Sequence, residues 1–279
     1  MELKYKELIK LAFDEDLDKI GDITTNSIIS TKQEGKAILK AKEEGVVSGI
    51  QIFKDCFEYI DEGVEVEFSI SDGSKVYVGD IVATISGKLN SILKTERTAL
   101  NFIQRMSGIS TLTSKFSKEL EVGKTKILDT RKTLPGFRSL DKYAVKMGGG
   151  NNHRIGLFDM FLIKDNHIKA AGSIEKAIEK AKKYKQDNSL IAKIEVEVKD
   201  IDEFKIALAN DIDVIMLDNM SIDDIIICVR LNNSNTKLEI SGNVTLNTIK
   251  DLVLTGVDYI SSGALTHSVK GLDLSLLVL

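Results

Sequence analysis

The chain has 279 residues, 43% of them hydrophobic, and a formal net charge of −4 at neutral pH. This composition is ordinary for a globular protein, and the acidic balance excludes a general affinity for nucleic acids or anionic membranes. The sequence contains no apolar run of about 18 residues and no signal-peptide core, so we expect a cytoplasmic protein. Cys56 and Cys228 lack metal-ligand spacing and are expected to be buried thiols.

The first hundred residues mix strands and helices without regular strand–helix repetition. Apolar residues at helical spacing predict helices over 4–13, 50–60 and 96–120. The predicted strands in this part are 36–41, 46–48, 65–70 and 81–86. The single proline, Pro135, is expected to fix a turn.

From about residue 126, short apolar runs alternate with helical stretches. The runs predicted as strands are 126–129, 160–163, 192–198, 214–217, 237–240 and 258–261. Helices are predicted over 173–184, with Ser173 as N-cap, and over 200–210, beginning at Asp200. Such units are typical of a parallel sheet, either an incomplete barrel or an open doubly wound sheet. No GxGxxG follows a strand, which disfavours a dinucleotide-binding sheet.

The stretch FDMFLI, residues 158–163, is apolar between two polar segments and is predicted to be a buried strand. Its flanks hold two of the three histidines, His153 and His167, and the cations Arg154 and Lys164. We expect the glycines of GGG, residues 148–150, to allow a sharp turn or a close approach to a ligand.

Polar groups follow all six predicted strands, where the site of a parallel barrel lies. The groups near the first strands are cations, and those at the middle strands are carboxylates. The last strands end in Ser/Gly turns, whose free backbone N–H groups can bind a phosphate. The cations are Arg131, Lys132, Arg138, Arg154 and Lys164; the carboxylates are Glu197 and Asp218, with Glu195 on the same strand face as Glu197. The turns are 241–243 and 261–264, and Thr245, Leu246 and Ile249 after the first turn fit a helix start.

The cations require a partner of opposite charge. Two like charges about 6 Å apart repel by roughly 3 kcal/mol at an effective dielectric constant near 20. Several cations in one barrel mouth therefore indicate a dense anion, such as a dicarboxylate or a diphosphate.

At these residues the sequence resembles the quinolinate phosphoribosyltransferase family over nearly its whole length. The motifs are GDITT (21–25), ERTALNFIQRMSGIST (96–111), LDTRKTLPGFR (128–138), KYAVKMGGGNNHRIGLFDMFLIKDNH (142–167), the EVEV and LDN strand ends, SGN (241–243) and SGALTHS (262–268). The resemblance implies the type II phosphoribosyltransferase fold: an N-terminal α/β sandwich domain, residues 1–108, and an incomplete parallel α/β barrel, residues 109–279. The last residues are expected to pack back on the N-terminal domain.

The resemblance also implies an activity. Such enzymes transfer phosphoribosyl from phosphoribosyl diphosphate to quinolinate with decarboxylation, giving nicotinate mononucleotide, diphosphate and CO2 for de novo NAD synthesis. They use Mg²⁺ and act as homodimers with active sites shared at the interface; a hexamer is left open.

Residue roles follow from the same resemblance. The residues expected to line the quinolinate and diphosphate pocket are Thr130, Arg131, Lys132, His153, Arg154 and Lys164, with Arg97 reaching the neighbouring subunit's pocket. Glu197 and Asp218 would bind the ribose hydroxyls and Mg²⁺, directly or through water, and would act in catalysis with Lys132 and Lys164. The 5′-phosphate would lie at Ser241, Gly242, Asn243, Ser262, Gly263 and Ala264, with His267 nearby. Asn243 stands where some relatives have glycine, so only its backbone role is carried over.

Three alternatives remain from the sequence. A sister family of molybdenum-associated pyrophosphorylases shares the fold, but the intact TRK and NHR motifs and Lys164 favour the quinolinate enzyme. A Schiff-base aldolase would need Lys164 desolvated and released from anion binding, which its basic neighbours disfavour. A non-catalytic phosphate-metabolite sensor is disfavoured by Glu197 and Asp218, which would weaken anion binding.

Overall fold

The computed structural model describes residues 5–279, so the predicted start of the first helix at residue 4 lies outside the described residues. The described chain divides into two compact units. The first unit contains the residues up to Ser114 with Thr133–Gly149 and Leu265–Leu279, and the second contains Lys115–Lys132 with Gly150–Ala264. Within the described range, no helix has both the length and the apolar character needed to cross a membrane.

A four-stranded antiparallel sheet organises the first unit, with strand order β12-β1-β5-β3. Its strands are β1 (Glu34–Ala41), β3 (Glu65–Phe68), β5 (Ile81–Lys88) and β12 (Leu274–Val278). A smaller pair is formed by β2 (Gly45–Val46) and β4 (Lys75–Val76). Because β12 pairs with β1, from Ala37 opposite Val278 to Ala41 opposite Leu274, the end of the chain completes the sheet of this unit.

The first unit also contains helices, two of which, α4 (Leu89–Glu119) and α11 (Ala264–His267), extend past its boundary. The others are α1 (Lys6–Leu17), α2 (Ile23–Ile28), α3 (Ile50–Ile60) and α5 (Arg138–Met147). The helix predicted over 50–60 has these bounds, and it buries Ile52, Phe53 and Phe57 because their spacing places them on one face. Helix α4 begins seven residues before its predicted start and passes the unit boundary at Ser114.

The second unit is built on a six-stranded parallel sheet, with strand order β6-β11-β10-β9-β8-β7. The strands are β6 (Lys126–Leu128), β7 (Met160–Ile163), β8 (Lys193–Val198), β9 (Val214–Asp218), β10 (Lys237–Ser241) and β11 (Tyr259–Ser261). All six predicted strands are present. The edge strands β6 and β7 do not pair with each other in the described chain, as expected of an incomplete barrel.

The helices of this unit are α6 (Asp165–Ala171), α7 (Ile174–Asp187), α8 (Ile201–Leu208), α9 (Ile222–Leu231) and α10 (Ile249–Leu252). The predicted N-caps are confirmed, because Ser173 accepts from the backbone N–H of Lys176 and Asp200 from that of Glu203. The helix start expected among Thr245, Leu246 and Ile249 lies at Ile249, and the helix, α10, has only four residues.

Two further predictions have different outcomes. Both cysteines are buried free thiols, as predicted. The prediction of a buried strand over 158–163 is only partly correct, because Phe158 is 80% exposed and the strand begins at Met160. Apolar character alone does not distinguish a buried strand from the exposed loop that leads into it.

Candidate active site

The polar side chains predicted after the strands lie at one edge of the parallel sheet. Glu197 lies near the carboxyl end of β8, and Lys164 follows β7. Asp218 ends β9 directly opposite Ser241, the last residue of β10. Because parallel strands present their carboxyl ends together, these groups share one edge. We call Arg131, His153, Arg154, Lys164, Glu197 and Asp218 the strand-end site.

Two arginines of the strand-end site lie close enough to affect each other. Burial, followed by the positive charge of Arg131, lowers the pKa of Arg154 below its ordinary value. Arg154 Nη1 donates to the carbonyl of Met160 at 3.2 Å. Arg131 Nε is buried and has no hydrogen-bond partner among residues 5–279. A buried guanidinium N–H without an acceptor is costly, so this arrangement favours an anionic ligand.

Lys164 belongs to the same charge cluster. Its Nζ forms an ion pair with Glu197, whose side chain is 14% exposed. The positive charges of Arg154 and Lys164 both favour the ionised form of the nearby Glu195 and so lower its pKa, against the larger effect of burial. The Lys164 side chain is 43% exposed, which disfavours the Schiff-base alternative, because that chemistry needs a desolvated amine.

Beneath this edge, two fully buried glutamates flank His153. His153 Nε2 lies 2.8 Å from Glu195 Oε2 and 3.6 Å from Glu239 Oε2. Burial raises the pKa of Glu195, and burial together with the Glu195 charge raises that of Glu239. The pair therefore retains protons at pH values where an ordinary glutamate has lost them.

The sequence prediction did not include this pair among the site residues. Glu195 lies two residues before Glu197 on β8, and Glu239 lies two residues before Ser241 on β10. Since side chains repeat every two residues along a strand, period-two spacing from the predicted site residues was a usable signal. The three groups His153, Glu195 and Glu239 also have donor atoms within 4.8 Å of one another.

The loop that carries His153 and Arg154 is held by carboxylates. Asp129, fully buried after β6, accepts from the His153 backbone N–H at 2.9 Å and from Asn152 Nδ2 at 2.6 Å. Asp159 accepts from the backbone N–H groups of Ile155 and Gly156, both at 2.8 Å. These bonds fix the loop on both sides of Arg154.

The predicted phosphate turns differ in their backbone. Gly242 and Asn243 are both left-handed, with φ of +102° and +48°, so the backbone role expected for Asn243 is compatible with its conformation. Ser262 instead forms hydrogen bonds within the protein: its backbone N–H donates to the carbonyl of Leu128 and its Oγ donates to that of Val244, both at 3.0 Å. Gly263 and Ala264 follow it at the end of the second unit.

Other predicted residues have distinct surroundings. Lys132 is exposed, and its backbone N–H donates to Thr130 Oγ1 at 3.0 Å. His167 accepts at Nδ1 from the Lys164 backbone N–H at 3.0 Å, which makes it a cap of α6. The predicted residues that belong to the first unit are Arg97, which is exposed on α4, Arg138, and His267, whose Nδ1 lies 2.6 Å from Ser268 Oγ.

Models of a known family match almost all of the chain. Residues 22–107 match the N-terminal domain of quinolinate phosphoribosyl transferase, and residues 109–277 match its C-terminal domain.

Individual relatives agree with this match. A quinolinate phosphoribosyltransferase (decarboxylating) 1b of Nicotiana tabacum is 46% identical over 97% of this chain and 81% of the relative. A probable nicotinate-nucleotide pyrophosphorylase (carboxylating) of Bacillus subtilis is 43% identical over 98% of this chain and 93% of the relative. The solved nicotinate-nucleotide pyrophosphorylase of Francisella tularensis superposes with a TM-score of 0.95 at 42% identity, covering 100% of this chain and 98% of that one.

Proposed function

Because the chain belongs to the quinolinate phosphoribosyltransferase family, we infer that it transfers phosphoribosyl from phosphoribosyl diphosphate to quinolinate with decarboxylation. The products are nicotinate mononucleotide, diphosphate and CO2, and the reaction serves de novo NAD synthesis. The observation that carries this function to particular residues is the cluster of mutually interacting charges at the strand ends, Arg131, Arg154, Lys164 and Glu197.

We assign quinolinate to the cations of the strand-end site. Arg131 has a buried Nε–H without a partner in the described part of the chain, and burial, followed by the positive charge of Arg131, lowers the pKa of Arg154. A dicarboxylate would satisfy the donor and relieve the repulsion between the two guanidinium groups. Lys164, paired with Glu197 in the free protein, would turn to the incoming anion together with Lys132 and His153.

The same charges suit the chemistry of transfer. The ring nitrogen of quinolinate forms a bond to C1′ of the ribose while the bond from C1′ to the diphosphate oxygen breaks. Positive charge develops on the sugar, and the carboxylates of Glu197 and Asp218 would stabilise it. Holding the nitrogen in line with C1′ is the task of the cations that grip the carboxylates.

Decarboxylation then requires little from the protein. With its nitrogen alkylated, the ring is a pyridinium, which accepts the electron pair left when the adjacent carboxylate departs as CO2. A proton replaces the lost carboxylate on that carbon. His153 has the role of orienting the substrate in this account, because its Nε2 is already bound to Glu195.

We propose Mg²⁺ as the cofactor. Magnesium prefers oxygen ligands and is usually held by one or two carboxylates together with substrate phosphates and water. Glu197 and Asp218 are half-buried carboxylates at the ends of the neighbouring strands β8 and β9, and this donor set fits the ion. When bound, Mg²⁺ would neutralise charge on the leaving diphosphate.

We also propose a homodimer in which Arg97 completes the partner's site. Arg97 is exposed on α4 and lies in a cleft of about 300 Å³ together with Asp16, Asn101 and Arg105. An exposed arginine in an open cleft is available to an anion bound by a second copy.

The experiment is a turnover assay. Purified protein with quinolinate, phosphoribosyl diphosphate and Mg²⁺ should form nicotinate mononucleotide and release CO2, and chelation of the metal should stop both. Nicotinate, which lacks the second carboxylate, is the matched control and should not be converted. Conversion of nicotinate without conversion of quinolinate would overturn the proposed substrate.

A further inference from the structure

Asn219, directly after Asp218, has an unusual backbone. Its φ is +52°, in the left-handed region that asparagine tolerates better than most residues. In this conformation its N–H donates to the carbonyl of Ser241 at 2.9 Å, which ties the end of β9 to the end of β10.

The Asn219 side chain lies between two parts of the site. Its Nδ2 donates to Asp218 Oδ2 at 2.9 Å, a charge-assisted hydrogen bond that restricts the carboxylate. Its Oδ1 is thereby directed to the other side, where Asn243 Nδ2 approaches to 3.4 Å. One amide thus contacts both Asp218 and the turn formed by residues 241–243, which we call the 241–243 turn.

Gly242 provides the space for this amide. A Cβ atom at residue 242 would lie 2.2 Å from Asn219 Oδ1 and 2.5 Å from its Cγ, well inside the contact distance of real side chains. Gly242 is also left-handed, with φ of +102°. The glycine is therefore required by the neighbouring side chain as well as by its own backbone.

We propose that Asn219 is a positioning residue that sets the Asp218 carboxylate and the 241–243 turn in one arrangement, so that the ribose and the 5′-phosphate of phosphoribosyl diphosphate are bound together. This inference rests on the proposed roles of Asp218 and of the turn. Quinolinate is assigned to other residues, the cations Arg131, Arg154 and Lys164. Loss of the Asn219 amide should therefore weaken the binding of phosphoribosyl diphosphate and leave the binding of quinolinate unchanged.

The first test is Asn219→Gly, which removes the side chain while keeping the left-handed backbone free of strain. We expect the KM for phosphoribosyl diphosphate to rise about tenfold, as for loss of one hydrogen bond to a charged group. The KM for quinolinate should stay within about twofold of the native value, which is well below the effect of such a bond. If the substitution instead caused a general loss of structure, it would raise the KM for both substrates, or it would lower the fraction of active enzyme and leave both KM values unchanged.

The second test is a double-mutant cycle with Gly242→Ala. Alone, Gly242→Ala should raise the KM for phosphoribosyl diphosphate by about tenfold or more, because its methyl group meets the Asn219 amide. In the Asn219→Gly background the clash is absent and only the strain of a left-handed alanine remains, so the same substitution should raise this KM by a clearly smaller factor than it does in the native background. Independent, multiplying effects of the two substitutions would overturn the proposal.

Two controls separate the possible failures. Asp211→Gly replaces another exposed residue of positive φ, +45°, outside the site, and should change neither KM. Asp218→Asn reports on the proposed site itself. If Asp218→Asn leaves the KM for phosphoribosyl diphosphate unchanged, the assignment of Asp218 is wrong; if Asp218→Asn raises it and Asn219→Gly does not, only the role of Asn219 is wrong.

Discussion

Single residues of the strand-end site, and the two buried glutamates beneath it, are governed by burial of charge. Arg131 keeps an unsatisfied donor, Arg154 loses basicity, and Glu195 and Glu239 gain it. Each of these is unfavourable in the free protein and becomes favourable, or is balanced, when an opposite charge is near. The two arginines are therefore candidates for ligand contact, and their substitution should affect binding more than folding.

Substitution of either arginine should weaken quinolinate binding. Arg131→Ala and Arg154→Ala should each cost about 1.5–3 kcal/mol, the range for hydrogen bonds to charged groups, which corresponds to about 10- to 150-fold in the dissociation constant. Isothermal titration with quinolinate measures this directly. Arg230→Ala, which removes an exposed arginine from the last turn of α9, is the control, and native affinity in both site variants would show that these arginines do not bind the dicarboxylate.

Glu239 should make stability depend on pH. Its pKa in the folded protein is raised above about 4.3, the usual value for an unfolded chain. The folded state therefore holds the proton longer, and its contribution to stability is complete below the unfolded pKa and is lost as pH rises through the folded one. Glu239→Gln, a neutral mimic of the protonated acid, should reduce the fall in melting temperature between about pH 5 and pH 8.

The matched control for that measurement is Glu179→Gln, which removes an exposed carboxylate from α7. An unchanged slope of melting temperature against pH in Glu239→Gln would mean that the pair does not retain a proton in the folded protein.

At the scale of elements, the GGG motif serves packing of α5 on α4. Gly148 caps α5, and a Cβ there would lie 2.4 Å from the Ser110 carbonyl oxygen and 2.7 Å from Thr113 Cβ. Gly149 is left-handed, with φ of +86°, and turns the chain out of the helix. The sharp turn expected from the sequence is present, and the close approach at Gly148 is to a helix of the first unit.

Gly148→Ala should therefore destabilise the protein through overpacking, by about 1–3 kcal/mol, because the nearest atom is a backbone oxygen that cannot rotate away. The melting temperature reports this loss. Gly271→Ala is the control, since its Cβ would meet nothing closer than 3.5 Å. Equal melting temperatures for the two variants would contradict the packing role of Gly148.

At the scale of the whole molecule, the proposed active site is shared between two copies of the chain. The second unit carries Arg131 and the first carries Arg97. If Arg97 serves the partner's site, the two substitutions damage the same site from different protomers.

Mixing inactive Arg97→Ala and Arg131→Ala proteins should then restore activity. Half of randomly exchanged dimers are mixed and each has one intact site, so about a quarter of native activity should return. Subunit exchange is verified separately with differently tagged copies. No recovery despite exchange would contradict a shared site, and the unmixed variants are the controls.

The fold and the site were predictable to different degrees. Strands β6 to β11 were predicted because each is a short apolar run followed by polar residues, a local pattern. Helix α5 was not predicted, because its buried face contains Asp141 and Lys142, which hide the apolar periodicity.

By itself, the sequence determined the strand–helix order, the two capped helices and the residues that follow each strand, because these depend on neighbours a few positions apart. It also determined the family, through long motifs. Only the tertiary structure decided that β11 pairs between β6 and β10, that β12 returns to β1, and that Glu195 and Glu239 are buried around His153. The reason is physical: pairing of distant strands and the burial of a carboxylate depend on the sum of many long-range contacts, and a glutamate carries no local sign that it will be one of the few placed inside.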